Sequence, residues 1–369
     1  MSNTLSVRPS MVQPVVLRAI KAKRPIFIWG PPGIGKSEIV EHITYNMLPG
    51  NNLMIDLRLA LMEPTDMRGY PFRNPETNKM EWSPPVDLPD AETAAMYDYI
   101  ILFLDELNSA PSSVQAAAYQ LVLNGRIGQY VLPENVRIIA AGNRDTDRGV
   151  TYRMPSPLAN RFRHINMEVN FEDYQQWAIT HNIHPDVIGY LSYAKQDLFD
   201  FDPKSSSQAF ATPRSWTSVS DSLYVEDFKD VDQKEQMVEV AGSVGEGMAI
   251  KFIEHRKVAA YLPAPEDVLD AKVTKLESRV AKEISAKYSL VAGVTYEFNA
   301  RYNDGGITKT LEKSFNNIVK FAFDNFEPEM VVLLLKTIMK DYKIAINFRQ
   351  VLDKELLKIF NEKYTKYIV

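Results

Sequence analysis

Short apolar runs recur along the first 170 residues, each with the length and composition of a strand. Residues 25–29 (P-I-F-I-W), 53–57 (L-M-I-D-L), 100–104 (I-I-L-F-L) and 136–141 (V-R-I-I-A-A) are apolar with a β-branched and aromatic bias, and residues 163–169 alternate. Runs of this kind predict buried strands. Between most of them apolar residues return at helical spacing, over 37–47, 112–124 and 157–161. Ahead of the first run, Val12, Val15, Val16, Ala19 and Ile20 form one face of a helix over 11–22, with Pro14 near its first turn, where proline is tolerated. Strands alternating with helices predict an α/β fold, a parallel five-stranded sheet covered on both faces. Residues 1–9 read as a flexible start.

Two segments interrupt the alternation. Residues 59–90 contain six prolines, and two strand-like pieces, 69–72 and 79–82, flank a turn-rich stretch at 74–78. Residues 125–133 (G-R-I-G-Q-Y-V-L-P) directly precede the fourth strand. Both read as protruding hairpins, with plain surface loops as the alternative. Beyond residue 170 the periodicity turns helical, over 171–180, 185–198, 213–224 and 233–254, with a polar, serine-rich loop at 201–212. Residues 267–369 are helical again, broken by N-D-G-G at 303–306, and Glu327-Pro328 opens a further helix. The expected organisation is an α/β core over 1–170, a helical domain over 171–262 and a C-terminal helical extension over 263–369. No internal repeat is present. Residues 242–247 (G-S-V-G-E-G) have the wrong glycine order for a dinucleotide loop and no strand before them, and read as small residues for close helix packing.

Composition narrows the chemistry. The chain of 369 residues has no cysteine, which excludes disulfides, thiolate zinc sites and a thiol nucleophile. A net charge of −5 is no electrostatic footprint for nucleic acid. Apolar runs such as 331–335 have the length of a core segment, and the first thirty residues carry no apolar signal region. Neither membrane insertion nor secretion is expected, and a cytoplasmic location is.

Residues 30–37 read G-P-P-G-I-G-K-S and match G-x-x-x-x-G-K-[ST] at every fixed position, between a predicted strand and a predicted helix. Glycines there allow the backbone to aim successive N–H groups at a phosphate, and the helix beginning near Lys36 adds its positive end. Lys36 is placed to pair with the β- and γ-phosphates of ATP, and the Ser37 hydroxyl to hold Mg²⁺. The third strand ends in Asp105 and Glu106, at the edge where parallel sheets bind ligands. Asp105 suits the metal's water shell and Glu106 suits deprotonation of an attacking water. The fourth strand closes on Asn143, an amide able to reach the γ-phosphate and that water, or a capping asparagine. Arg161 and Arg163 follow a short helix and are either surface salt-bridge partners or a source of transition-state charge neutralisation. Arg214 begins a helix just after Pro213 and is a second arginine in reach of phosphate. The spacing H-x-x-H at His181 and His184 lacks the carboxylate of a zinc motif and precedes Pro185, so it reads as a loop or helix start. Asp145, Asp147, Arg148 and Arg153 form either an intersubunit charge network or a solvated loop.

Taken together, the phrases GPPGIGKS, LFLDELNSAP, AAYQLVLNGRIGQYVLP, AAGNRDTDRGV, MPSPLANRF and TPRSW resemble the MoxR family of AAA+ ATPases, strongly over residues 10–260 and weakly beyond. The resemblance implies a P-loop AAA+ core followed by an α-helical lid, with ATP bound between them. It implies a Walker A loop at Gly30, Pro31, Pro32, Gly33, Ile34, Gly35, Lys36 and Ser37, with Glu38 following. It places Walker B over 101–106, the first sensor at Asn143, the second at Arg214, and a trans-acting finger at Arg161, with Arg163 as runner-up. It also implies that the hairpins within 59–90 and 125–135 line the pore of a ring, expected to be a hexamer. MoxR-type proteins act as chaperone-like ATPases on a protein client, often with a von Willebrand factor A domain partner. Tyr70, Phe72, Trp82 and Tyr130 offer aromatic grips for such a polypeptide. The competing readings are a nucleic-acid-translocating motor with the same ATP site, and a nucleotide-dependent switch or scaffold without pulling.

Overall fold

In the computed structural model, residues 5–147, 152, 154–205, 207–225 and 231–364 are described. The chain divides into two units, residues 1–170 with 202–205, and residues 171–201 with 206–369. In the first unit the described residues form ten strands: β1 (Ser6–Val7), β2 (Ile26–Trp29), β3 (Asn52–Arg58), β4 (Tyr70–Arg73), β5 (Met80–Ser83), β6 (Tyr99–Asp105), β7 (Arg126–Ile127), β8 (Tyr130–Val131), β9 (Val136–Gly142) and β10 (Arg163–Met167). Six of them make one parallel sheet in the order β1-β10-β2-β9-β6-β3. Its helices are α1 (Pro9–Lys21), α2 (Lys36–His42), α3 (Pro64–Arg68), α4 (Ala91–Ala95), α5 (Ser112–Asn124) and α6 (Ser156–Ala159), and α2 runs on as a π-helical turn over Ile43–Met47.

The centre of the sheet is buried on both faces, which is why its strands read as continuous apolar runs rather than alternating ones. Phe27, Leu102, Leu104, Ile138 and Ala140 pack with Val114, Ala118 and Leu121 of α5. Ile26, Ile28, Ile101, Phe103, Ile139 and Ala141, pointing the other way, are equally buried. The parallel sheet follows the sequence pattern, with six strands in place of five. The extra one corrects the reading of residues 1–9: Ser6 and Val7 pair with Asn166 and Met167 at the sheet's edge. A two-residue strand is too short to show any periodicity.

The two hairpins are real antiparallel pairs. In the first, Tyr70 faces Ser83, Pro71 faces Trp82, Phe72 faces Glu81 and Arg73 faces Met80. Directly opposed residues share a face, so Tyr70 and Phe72 lie on one side and Trp82 on the other. In the second, Arg126 pairs with Val131 and Ile127 with Tyr130.

The second unit is helical: α7 (Phe171–Thr180), α8 (Pro185–Tyr193), α9 (Pro213–Leu223), α10 (Gln233–Val244), α11 (Glu246–Ala259), α12 (Pro265–Leu269), α13 (Ile284–Gly305), α14 (Lys309–Asn325), α15 (Pro328–Lys336), α16 (Phe348–Val351) and α17 (Lys354–Lys363). Leu290, Val294, Phe298, Phe315, Ile318, Val331 and Leu334 form its main core. Three expectations are corrected here. The helix expected over 185–198 stops at Tyr193, and a 3₁₀ turn, Lys195–Leu198, follows. The single helix expected over 233–254 is two, because Gly245 takes φ 88° and ψ 154°, a conformation that breaks the helical hydrogen-bond ladder. The glycines at 242 and 247 are not close-packing positions, since a Cβ on either would meet nothing within 4 Å.

Candidate nucleotide site

Strand β2 delivers the chain to Gly30 in the middle of the sheet, with β9 as its neighbour and β6 next to that. The carboxyl ends of these three strands therefore stand side by side, which is where open parallel sheets place ligands. The loop from Gly30 turns through Gly33 (φ 74°) and Gly35 (φ 89°), a left-handed path that side-chain-bearing residues rarely follow. Ile34 is buried, while Pro32, Lys36, Ser37 and Glu38 are half-buried.

Lys36 Nζ donates to the carbonyls of Gly30 (2.7 Å) and Pro31 (2.9 Å) and to Asn143 Oδ1 (3.0 Å). Ser37 Oγ donates to Asp105 Oδ2 at 3.3 Å, and Asp105 Oδ1 accepts from the Glu106 N–H at 2.9 Å. Lys36, Ser37, Asp105 and Asn143 are thus one hydrogen-bonded constellation gathered from three strand ends. Glu106 is exposed beside it with φ 55°, a left-handed conformation uncommon for glutamate. Sequence reasoning missed two neighbours. Asp56 on β3 has its pKa raised by burial and by the charge of Asp105. Its one signal was a carboxylate inside an apolar run. Asn108 is buried three residues beyond Asp105 and donates through Nδ2 to the Asn143 carbonyl at 2.7 Å.

Arg161 sits exposed in the turn after α6, and Arg163 is the exposed first residue of β10. That turn is tied to β2 by His164. Trp29 Nε1–H donates to His164 Nδ1 at 2.9 Å, which puts the imidazole proton on Nε2, and Nε2–H donates to the Ala159 carbonyl at 2.7 Å. Arg214 belongs to the second unit, exposed in the first turn of α9. A reciprocal cap holds that turn: Thr212 Oγ1 accepts from Ser215 N at 3.0 Å and Ser215 Oγ from Thr212 N at 2.8 Å. His184 caps α8, its Nδ1 accepting from Asp186 N at 3.1 Å, and His181 stacks on Trp177. In the loop after Asn143, Asp147 Oδ2 accepts from Arg144 N (2.9 Å) and Nε (3.1 Å). The rest of that charge network, Arg148, Arg153 and the side chain of Asp145, lies outside the described residues.

The four aromatics do not form one surface. Tyr70 is 61% exposed and Phe72 44%, whereas Arg68 lies over the Trp82 ring at 5.3 Å on the other face. Tyr130 is half-buried, and its hydroxyl donates to the Pro89 carbonyl at 2.7 Å. Among the described residues no helix is long and apolar enough to cross a membrane.

Comparison with known proteins agrees with this geometry. Residues 25–162 match the profile of the AAA domain (dynein-related subfamily). Midasin of Giardia intestinalis is 27% identical over 184 residues, which is 48% of this chain and 4% of that protein. The chain therefore spans only a small part of this curated relative. Among solved structures, RuvB of Thermotoga maritima overlaps 92% of this chain and 95% of its own at 14% identity and a TM-score of 0.34. NtrX of Brucella abortus in complex with ADP overlaps 81% of this chain and 65% of its own at 14% identity and a TM-score of 0.33. Overlaps at that level carry no functional implication. The profile match covers the same residues that carry the constellation around Lys36.

Proposed function

We propose that this chain is a MoxR-type AAA+ ATPase that hydrolyses ATP in a ring of identical subunits, a hexamer, to remodel, assemble or activate a protein client. The observation that carries the reading is the joining of Lys36 to Asn143 and of Ser37 to Asp105 at neighbouring strand ends. Lys36, with the backbone of Gly30, Pro31, Pro32, Gly33, Ile34 and Gly35, binds the phosphates of ATP, and Glu38 follows in the first turn of α2. The hydroxyl of Ser37 and the carboxylate of Asp105 are oxygen donors of the kind that suits Mg²⁺. When bound there, the metal supplies positive charge against the phosphate oxygens. Glu106 takes the proton of the attacking water, and Asn143 orients that water. Arg161 reaches a neighbouring subunit's site, Arg163 being the alternative, and Arg214 is the second sensor. The exposed Tyr70 and Phe72 grip the client. A cytoplasmic location and a von Willebrand factor A domain partner belong to the same reading.

The test is ATP turnover against protein concentration, with Arg161→Ala protein mixed into wild type. Turnover per subunit should rise with concentration and fall steeply on doping, because one absent trans arginine costs roughly 10³–10⁵ in rate. A flat rate insensitive to doping would remove Arg161 from the mechanism and the ring with it.

A further inference from the structure

Asn108 is 1% exposed on the turn Leu107–Ser109, two residues past Glu106. Its Nδ2 donates to the Asn143 carbonyl at 2.7 Å, and its own carbonyl accepts from Tyr152 N at 2.7 Å. Its Oδ1 is buried with no hydrogen-bond partner among the described residues. A buried amide that leaves an acceptor unsatisfied costs stability, so its retention calls for a reason at its other end. The space it occupies exists only because residue 142 is glycine. A Cβ on Gly142 would lie 2.0 Å from Asn108 Oδ1 and 2.9 Å from Phe27 Cζ.

The position of this amide matters because of where the sheet ends. The last residues that β6 and β9 pair with each other are Leu104 and Ala140. Beyond them the chain carrying Asp105 and Glu106 and the chain carrying Asn143 no longer pair with each other, and Asn108 joins the two. Asn143, the residue it holds, is also tied through the preceding carbonyl and through its own side chain. Gly142 O accepts from Gly30 N at 3.2 Å, and Asn143 Oδ1 accepts from Lys36 Nζ at 3.0 Å.

We infer that Asn108 is a positioning residue for hydrolysis: it sets Asn143 against Glu106 and takes no part in nucleotide affinity. The inference rests on the ATP-hydrolysis reading above. Two groups that must address one water tolerate little displacement, since an error of about 1 Å can cost about 10²-fold in rate.

The experiment compares wild type, Asn108→Leu and Asn108→Asp as full chains, measuring turnover at saturating ATP and the Kd of a fluorescent ADP analogue. Asn108→Leu keeps the volume and removes the donor. Its turnover should fall about 10- to 100-fold while the Kd stays within about twofold. Adding Asn143→Ala to it should cost little more, because the amide acts through Asn143. In Asn108→Asp only the protonated carboxyl can donate to the Asn143 carbonyl. Its turnover relative to wild type should therefore recover as pH falls, which a merely structural role would not produce. Gly142→Ala should reproduce the loss with Asn108 unchanged, and it carries the test with Asn108→Asp if the leucine variant does not fold. Wild-type turnover in Asn108→Leu, a matching loss of nucleotide affinity, or fully multiplicative losses with Asn143→Ala would overturn the inference. An inactive wild-type chain would overturn the hydrolysis reading and this inference together, whereas an active one with an indifferent Asn108→Leu would overturn this inference alone.

Discussion

At the scale of single residues, the proposed roles divide into binding and chemistry by position within the constellation. Lys36 touches two loop carbonyls and Asn143, so Lys36→Ala should abolish nucleotide binding. Glu106 is exposed and left-handed, a conformation that costs of order 1–3 kcal/mol and persists where surrounding structure imposes it. Glu106→Gln should bind ATP with near wild-type affinity yet lose turnover by about 10²-fold or more, read by calorimetry beside a phosphate-release assay. Equal turnover would remove the base from Glu106. A second residue acts on stability. His255 of α11 is buried, with Nε2 against Ser289 Oγ at 2.7 Å, and burial pulls its pKa down from 6.5 to about 4. The unfolded chain therefore takes up the proton first as pH falls. The stability held by the neutral ring is complete above about pH 6.5 and is lost towards pH 4, by at most about 3 kcal/mol. The His255→Gln variant should show a shallower fall of unfolding midpoint across that window, and an unchanged slope would refute the assignment.

At the scale of elements, the β4–β5 hairpin was legible as two short apolar pieces around a turn, but its faces were not. Pairing register assigns Tyr70 and Phe72 to one side and Trp82 to the other, and register is settled at the turn and at the base. The base is Gly69, at φ 80° with ψ −173°, where a Cβ would stand 1.8 Å from the Ser83 carbonyl oxygen. Gly69→Ala should therefore cost the hairpin roughly 1–3 kcal/mol and speed proteolytic cleavage within 74–78, while nucleotide affinity holds. Unaltered cleavage would show that the base does not govern the hairpin. The same reasoning explains the helix that broke. Apolar periodicity runs through residues 233–254, but one glycine, Gly245, stops the ladder, and its Cβ would approach the Ala209 carbonyl oxygen at 3.0 Å.

At the scale of the molecule, charge favours the proposed polypeptide client over a nucleic acid. The net charge of −5 is matched locally, since residues 59–90 hold Arg68, Arg73 and Lys79 against Glu63, Asp66, Glu76, Glu81, Asp87 and Asp90. Such a segment makes a poor track for a phosphate backbone. Single- or double-stranded DNA or RNA at low salt should leave the ATPase rate unchanged, and stimulation that fades with salt would favour a nucleic-acid motor instead.

By itself the sequence determined the glycine-rich loop at 30–37, the carboxylate pair and the alternation of strands and helices. Each of these is local: a fixed spacing, a buried run, a turn residue. The tertiary structure decided which strand ends are neighbours, and so why Lys36 meets Asn143 across 107 positions of chain and Ser37 meets Asp105 across 68. It alone added the two-residue edge strand at Ser6–Val7, whose pairing partner lies 160 residues away. It alone made Asn108 more than an ordinary turn asparagine. Local periodicity reports which face of an element is buried, but a hydrogen bond between loops depends on strand order, and strand order is a property of the whole sheet.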